Sequence, residues 1–182
     1  MAALSDEAVL CVCQASAQPD VSSRAAAAFI ALGLRPRLQQ LEEAASRTLF
    51  TSLLTMMQHH ARPLLEELIV PILWSAGGTL STGQAEALSR LIKEMPEALL
   101  SNALSQFLRG EDGQPTQWSE PQVALLQTAL SRKPALDAQC LGELLVQADA
   151  NCDALRKSLK FSNLLNTLVR SHGVQLRPHL PA

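Results

Sequence analysis

The sequence predicts an all-α chain of antiparallel helical hairpins stacked as a short HEAT-like solenoid, and three observations carry that expectation. Leucine runs through the whole chain, with 34 leucines against four phenylalanines, two tryptophans and no tyrosine. Apolar residues recur three and four apart, as at Leu49, Leu53 and Leu54, at Leu64, Leu65 and Leu68, at Leu141, Leu144 and Leu145, and at Leu164, Leu165 and Leu168. That spacing puts one apolar stripe on each helix and asks another helix to cover it, while no run alternates strictly enough for a strand. Thirdly, helix starts recur in pairs every 34 to 41 residues or so, the period of helical-hairpin repeats. The TPR consensus is missing, which favours an irregular HEAT-like stack; a compact helical bundle is the alternative.

Each helix follows from its punctuation. Ser5 opens a helix to about Ala17, broken by Gln18-Pro19-Asp20. Asp20 or Ser22 caps the next, which is expected to stop at Gly33, with Leu34-Arg35-Pro36-Arg37 as a bend, because proline disfavours helix in the residue before it. A longer helix starts at Leu38 or Ala44 and ends at His60. Pro63 suits the first turn of its successor, which reaches Ala76 and is expected to kink or split at Pro71.

Gly77-Gly78 ends that segment. Ser81 with Gln84 reads as a capping box for a helix to Lys93, and Pro96 begins another to Arg109. A polar loop follows over 110–117. Ser119 with Gln122 reads as a second capping box, for a helix to Lys133 that Pro134 closes. Asp137 caps the next to Ala150, and Asp153 is expected to start a last helix to His172. The tail, Gly173 to Ala182, is read as the start of a further helix. Residues 1–182 thus form one domain of about five hairpins, the last incomplete. Such a stack leaves apolar faces at its ends, so dependence on a partner is expected.

Charge and cysteine use remove several function classes. A net charge of -2 does not supply the clustered Lys/Arg that tight phosphate binding needs, so direct nucleic-acid recognition is not expected. Apolar stretches are interrupted within a dozen residues, too short for a bilayer span, and no secretory signal is visible. Cys11 and Cys13 diverge on one helix, and Cys140 and Cys152 are too far apart for a C-x-x-C pair. No zinc spacing or disulfide framework results, which suits a reducing compartment.

Candidate chemistry is sparse. His59-His60 cannot both face one metal and suit a helix C-terminus instead. Glu42-Glu43 and Glu66-Glu67 read as solvated helix faces, since paired acids catalyse only when held across a cleft. No phosphate-binding, zinc-protease or nucleophile-elbow motif occurs. An enzyme would need a Cys-His nucleophile, for example Cys140 with His172, and no third group orients that pair. No catalytic, cofactor or metal residue is therefore nominated. Arg35, Arg37, Arg47 and Arg62 gather positive charge around the inter-helix turns, with a smaller stripe at Arg156, Lys157 and Lys160. Arginine favours interfaces because its planar fork pairs with carboxylates while its stem packs on apolar surface. Trp118 is read as anchoring a loop, and Trp74 as core or interface.

The order of particular residues resembles the C-terminal helical-repeat domain of the Fanconi anaemia group E family. The match starts at Leu4-Ser5-Asp6 and firms from Ala45-Ser46-Arg47 through Pro71, Gly77, Gln84, Glu86, Leu91 and Lys93. It continues through Leu104, Gln106, Leu108, Trp118, Glu120, Leu126-Gln127, Leu130 and Arg132 to Lys160, Leu164, Leu165, Thr167 and His172. The resemblance implies a non-enzymatic nuclear adaptor without cofactor, in the core complex that monoubiquitinates the group D2 substrate during interstrand crosslink repair. Its implied partners are the group C subunit and, within the complex, group F. The family's final helix, associated with substrate contact, has no counterpart here, so group C binding is implied more directly than group D2 contact. Arg37, then Arg47 and Trp74, are the partner-binding candidates, with a structural role as the alternative for each. The rival function is a helical adaptor of another pathway, such as transport or proteasome assembly.

Overall fold

The computed structural model describes residues 5–18, 20–75, 79–109 and 116–176, of which the side chains of 74 and 75 are excepted. Among the described residues there are nine continuous helices and no strand. They are α1 (Asp6–Ser16), α2 (23–39), α3 (Arg47–His59), α4 (61–75), α5 (Thr82–Glu94), α6 (Glu97–Arg109), α7 (Glu120–Ser131), α8 (Ala138–Leu155) and α9 (Leu159–Leu176).

The odd-numbered helices share one device. Each begins directly after a serine: Ser5, Ser46, Ser81, Ser119 and Ser158, roughly 35 to 41 residues apart. The hydroxyl oxygen of Ser5 accepts from the Ala8 N–H, that of Ser46 from Leu49, that of Ser81 from Gln84 and that of Ser158 from Phe161, at 3.0–3.2 Å. Each such cap satisfies a backbone donor that the first turn leaves open and contributes about 1 kcal/mol. At Ser81 the box is reciprocal, its own N–H donating to Gln84 Oε1 at 3.0 Å. Ser119 achieves half of it, its N–H donating to Gln122 Oε1 at 2.9 Å.

Packing follows a rule of alternate neighbours. Helix α1 lies against α3, α3 against α5, α5 against α7 and α7 against α9; α2 lies against α4, α4 against α6 and α6 against α8. The result is two rows, odd and even, with the apolar stripes of both turned inward. Successive helices run antiparallel: Arg37 near the end of α2 meets Asp6 at the start of α1 at 2.7 Å. Leu34, Leu38, Leu53, Leu64, Leu68, Leu88, Leu91 and Leu130 are essentially inaccessible, each such burial worth roughly 1.5–3 kcal/mol before entropy is charged. All even helices consequently end, and all odd helices after α1 begin, at one edge of the stack. We call it the loop edge; among the described residues it carries 40–46, 79–81, 116–119 and 156–158.

The structure departs from the sequence expectations in several places. Helix α2 does not stop at Gly33: Ser23–Phe29 passes into a π-helical turn, Ile30–Leu34, and on through Arg35–Gln39. Helix α4 repeats this, with a π turn at Leu65–Ile69 before Val70–Ser75. In both, the π turn ends two residues before a proline, Pro36 or Pro71, and the intervening N–H reaches back five residues: Arg35 to the Ile30 carbonyl, Val70 to the Leu65 carbonyl. The wider turn makes room for the pyrrolidine ring, whose clash with the carbonyl one turn back would otherwise break the helix. Helix α3 starts at Arg47, later than Leu38 or Ala44, because Ser46 provides the cap. Asp153 lies inside α8; the last helix waits for Ser158, the first residue after Leu155 that can cap one. Helix α7 ends at Ser131, with Lys133 at φ 54 before Pro134. Helix α9 runs on past His172 and Gly173 to Leu176, where a further helix was expected to start; the expected Gly77-Gly78 break, loop residues 110–115 and the tail beyond Leu176 lie outside the described residues.

Candidate partner surface

Two of the arginines nominated from the sequence, Arg37 and Arg47, lie at the loop edge. Asp6 holds two neighbours with its two carboxylate oxygens: Oδ1 accepts from Arg37 Nη1 at 2.7 Å and Oδ2 from the Ser46 hydroxyl at 2.6 Å. Arg37 thereby ties the end of α2 to the start of α1 and to the cap of α3, with 21% of its side chain exposed. This is the structural role weighed as its alternative. Arg47, the next residue after Ser46, is exposed and makes no ion pair with a described residue. Trp74 sits in the last turn of α4, at the same edge; its side chain lies outside the described residues. Backbone placement therefore brings all three candidates to one edge, and the Ser46–Asp6 hydrogen bond joins the surroundings of Arg37 to those of Arg47.

The connection 40–46 continues this edge across α5. The Ser81 hydroxyl donates to the Leu41 carbonyl, the Gly83 N–H to the Glu42 carbonyl at 3.1 Å, and Gln84 Nε2 to the Gln39 carbonyl at 2.7 Å. The crossing is so close that a Cβ on Gly83 would stand 1.9 Å from the Glu43 carbonyl oxygen. Only glycine fits there. Further along the edge, the segment 116–119 is fastened by buried amides. Gln147 Oε1 accepts from the Thr116 N–H at 2.9 Å while its Nε2 donates to the Leu108 carbonyl at 2.8 Å. Asn151 Oδ1 accepts from the Trp118 N–H at 2.7 Å, and its Nδ2 donates to the carbonyls of Thr116 and Gln147 at 2.8 Å. Trp118 is 3% exposed, as expected of a loop anchor.

The remaining candidates are spoken for or apart. Arg35 Nη1 donates to the Glu67 carbonyl, inside the second π turn, at 3.3 Å. Arg62 pairs with Glu66 at 2.8 Å, and Lys160 lies 4.0 Å from Glu120. His60, buried at the end of α3, has Nε2 2.7 Å from the Ser16 carbonyl, so that nitrogen carries the proton. His172 is buried on α9 with Nδ1 3.0 Å from Gln175 Oε1. No hydrogen bond joins it to Cys140, whose thiol pKa is raised by burial and opposed by the Ser105 hydroxyl. Burial likewise pushes the Cys13 thiol up to about 11, against a hydrogen bond with Ser52. Both buried thiols stay protonated, the unreactive form. Glu42 and Glu43 are exposed on the crossing loop and face no second carboxylate pair.

Among the described residues no three His, Cys, Asp or Glu side chains could hold a metal ion together. A small apolar pocket of about 30 Å³ between α4, α5, α6 and α7 is lined by Leu73, Ile92, Leu104, Phe107 and Leu126, with Gln122 as its polar member. Gln122 spends its amide N–H on the Leu73 carbonyl at 2.9 Å. A surface depression of about 320 Å³ over α7, bounded by Thr82, Glu86, Ser89, Ala124 and Lys160, is open to solvent. No described helix is long and apolar enough to cross a membrane.

Gln147 and Asn151 escaped nomination because polar residues inside a leucine stripe read as interruptions of it. Their spacing from Leu144 and Leu155, three and four residues along the same face, was the available signal. The fold and this edge define an all-α protein whose polar groups serve to join helices. No family model and no curated protein matches the sequence.

Proposed function

We propose that the chain is a HEAT-like helical-repeat scaffold that binds another protein and does no chemistry itself. The observation that carries the reading is the alternate-neighbour packing of serine-capped helices at a spacing of roughly 35 to 41 residues. In such architectures each hairpin contacts its sequence neighbours, and the loops along one edge are the variable, partner-facing part. Polar side chains at this edge are committed to backbone carbonyls and caps, which supports a holding role over a reacting one.

The resemblance to the Fanconi anaemia group E family gives this scaffold its setting: a nuclear subunit of the crosslink-repair core complex, bound to group C, alongside group F, and aiding presentation of group D2 for monoubiquitination. The exposed guanidinium of Arg47 is the docking residue in this reading, and Arg37 shapes the edge that presents it. Co-purification of the tagged chain with the group C subunit tests the assignment. Wild type retains group C, Arg47→Glu loses at least tenfold, and Arg47→Lys keeps most of it. Failure of the wild type to retain group C, or enrichment of transport or proteasome subunits in its place, overturns the setting.

A further inference from the structure

Helices α3 and α5 lie side by side inside the odd row, flanked by α1 and α7. Where they meet, the Cζ atom of Arg90 on α5 stands 3.5 Å from the centre of the Phe50 ring on α3. A guanidinium that close over a ring face is held by cation–π attraction and stacking. Arg90 is exposed and forms no ion pair with a described residue. Glu86, four residues earlier on the same helix, has the usual spacing for a helical ion pair, yet Arg90 lies on the ring instead.

Arg47 belongs to the same place. It stands three residues before Phe50 on α3, so the two are neighbours on the surface of that helix. Leu54, four residues beyond Phe50, continues the stripe and is half-buried against the core. Phe50 itself is buried beneath the guanidinium. The groove between the two helices therefore has an apolar floor, with one arginine from each helix beside it. Neither arginine fork spends its N–H donors on a described residue.

We propose that this groove binds an acidic segment of a partner protein, one that sets a carboxylate on Arg90 and Arg47 and an adjoining apolar side chain on Leu54. The inference rests on the docking role given to Arg47 and names the chemistry of what docks. An arginine fork pairs with a carboxylate through two parallel N–H donors, and stacking on Phe50 leaves the donors at its edge available. The stack also fixes the side chain beforehand, so less rotamer freedom is lost on binding. Glu86 on α5, with Glu42 and Glu43 on the adjoining loop, adds negative charge nearby. That disfavours a polyanion such as nucleic acid, whose binding needs clustered cations, and favours isolated carboxylates.

Fluorescence anisotropy of the purified full chain reads it, with a fluorescein-labelled peptide of Glu-Leu-Leu-Glu repeats as the probe. The same peptide with lysine for glutamate and a single-stranded oligonucleotide are the competing probes. The acidic peptide binds wild type, and binds more weakly as salt rises. Arg90→Gln and Arg47→Gln each weaken it several-fold with unchanged helical circular dichroism. Phe50→Leu, which keeps every charge and removes the ring, weakens it too; Arg90→Lys, which keeps the charge without the fork, makes the same comparison without touching the core. No binding of the acidic peptide, equal binding of its lysine counterpart, tighter binding of the oligonucleotide, or indifference to the Arg90 substitutions overturns the inference. Co-purification separates it from the group C assignment. A wild type that binds the peptide but fails to retain group C overturns that assignment alone, whereas group C retained equally well by Arg90→Gln overturns the groove alone.

Discussion

Two connections at the same edge solve one geometric problem with different chemistry. Residues 40–46 carry the chain from α2 to α3, and residues 116–119 lead into α7; both must be pinned against neighbouring helices. The first is pinned at the surface, by the half-exposed Asp6, Arg37 and Ser46 cluster and by backbone carbonyls given to Ser81, Gly83 and Gln84. The second is pinned in the interior, by Gln147 and Asn151 at 4% and 2% exposure. Water competes for every contact of the first and for almost none of the second. The same count of hydrogen bonds is therefore worth more at 116–119, and losing one there strands its partner.

That contrast sets an order of mutational cost. Asn151→Ala removes the acceptor of the Trp118 N–H and the donor to two carbonyls, and leaves a void. It should cost about 3 kcal/mol in urea unfolding. Gly83→Ala comes next: the new methyl displaces the Glu43 backbone, and because the crossing loop is exposed and can retreat, the loss is about 2 kcal/mol. Protease nicking within 40–46 should rise in that variant, and an unchanged cleavage pattern would argue against the close crossing. Smallest is Asp6→Ala, at under about 1 kcal/mol and shrinking further with added salt, because its pair is screened. A cost for Asp6→Ala equal to that for Asn151→Ala would erase the distinction between the two connections.

Much of this was legible in the residues, and the failures share a cause. Helix starts were read correctly at Ser5, Ser81, Ser119 and Asp137, where the capping residue bonds to a group three positions away, whereas the equally local caps Ser46 and Ser158 were passed over for earlier starts. Stops were read poorly where tertiary packing overrides local preference. Gly33 and Pro36 together spell a helix end, yet Ile30, Leu34 and Leu38 bury one continuous stripe, and the π turn keeps that stripe in line. Asp153 looked like a start until Leu155, buried, carried α8 past it. For the partner surface, the sequence nominated arginines by type. It could not separate Arg37, consumed by a carboxylate 31 positions away, from Arg47, which is exposed and pairs with no described carboxylate.

The twin π turns of α2 and α4, Ile30–Leu34 and Leu65–Ile69, pack against each other. Every such turn slips one extra residue into a helix and so rotates everything after it relative to everything before. Two abutting helices that slip by the same amount at the same height remain in phase, like meshed gears that skip a tooth together. Deleting a residue from one alone would throw its later side chains off the common face, whereas deleting one from both would let them turn in concert. The prolines that mark the pair should therefore tolerate change together better than either does alone.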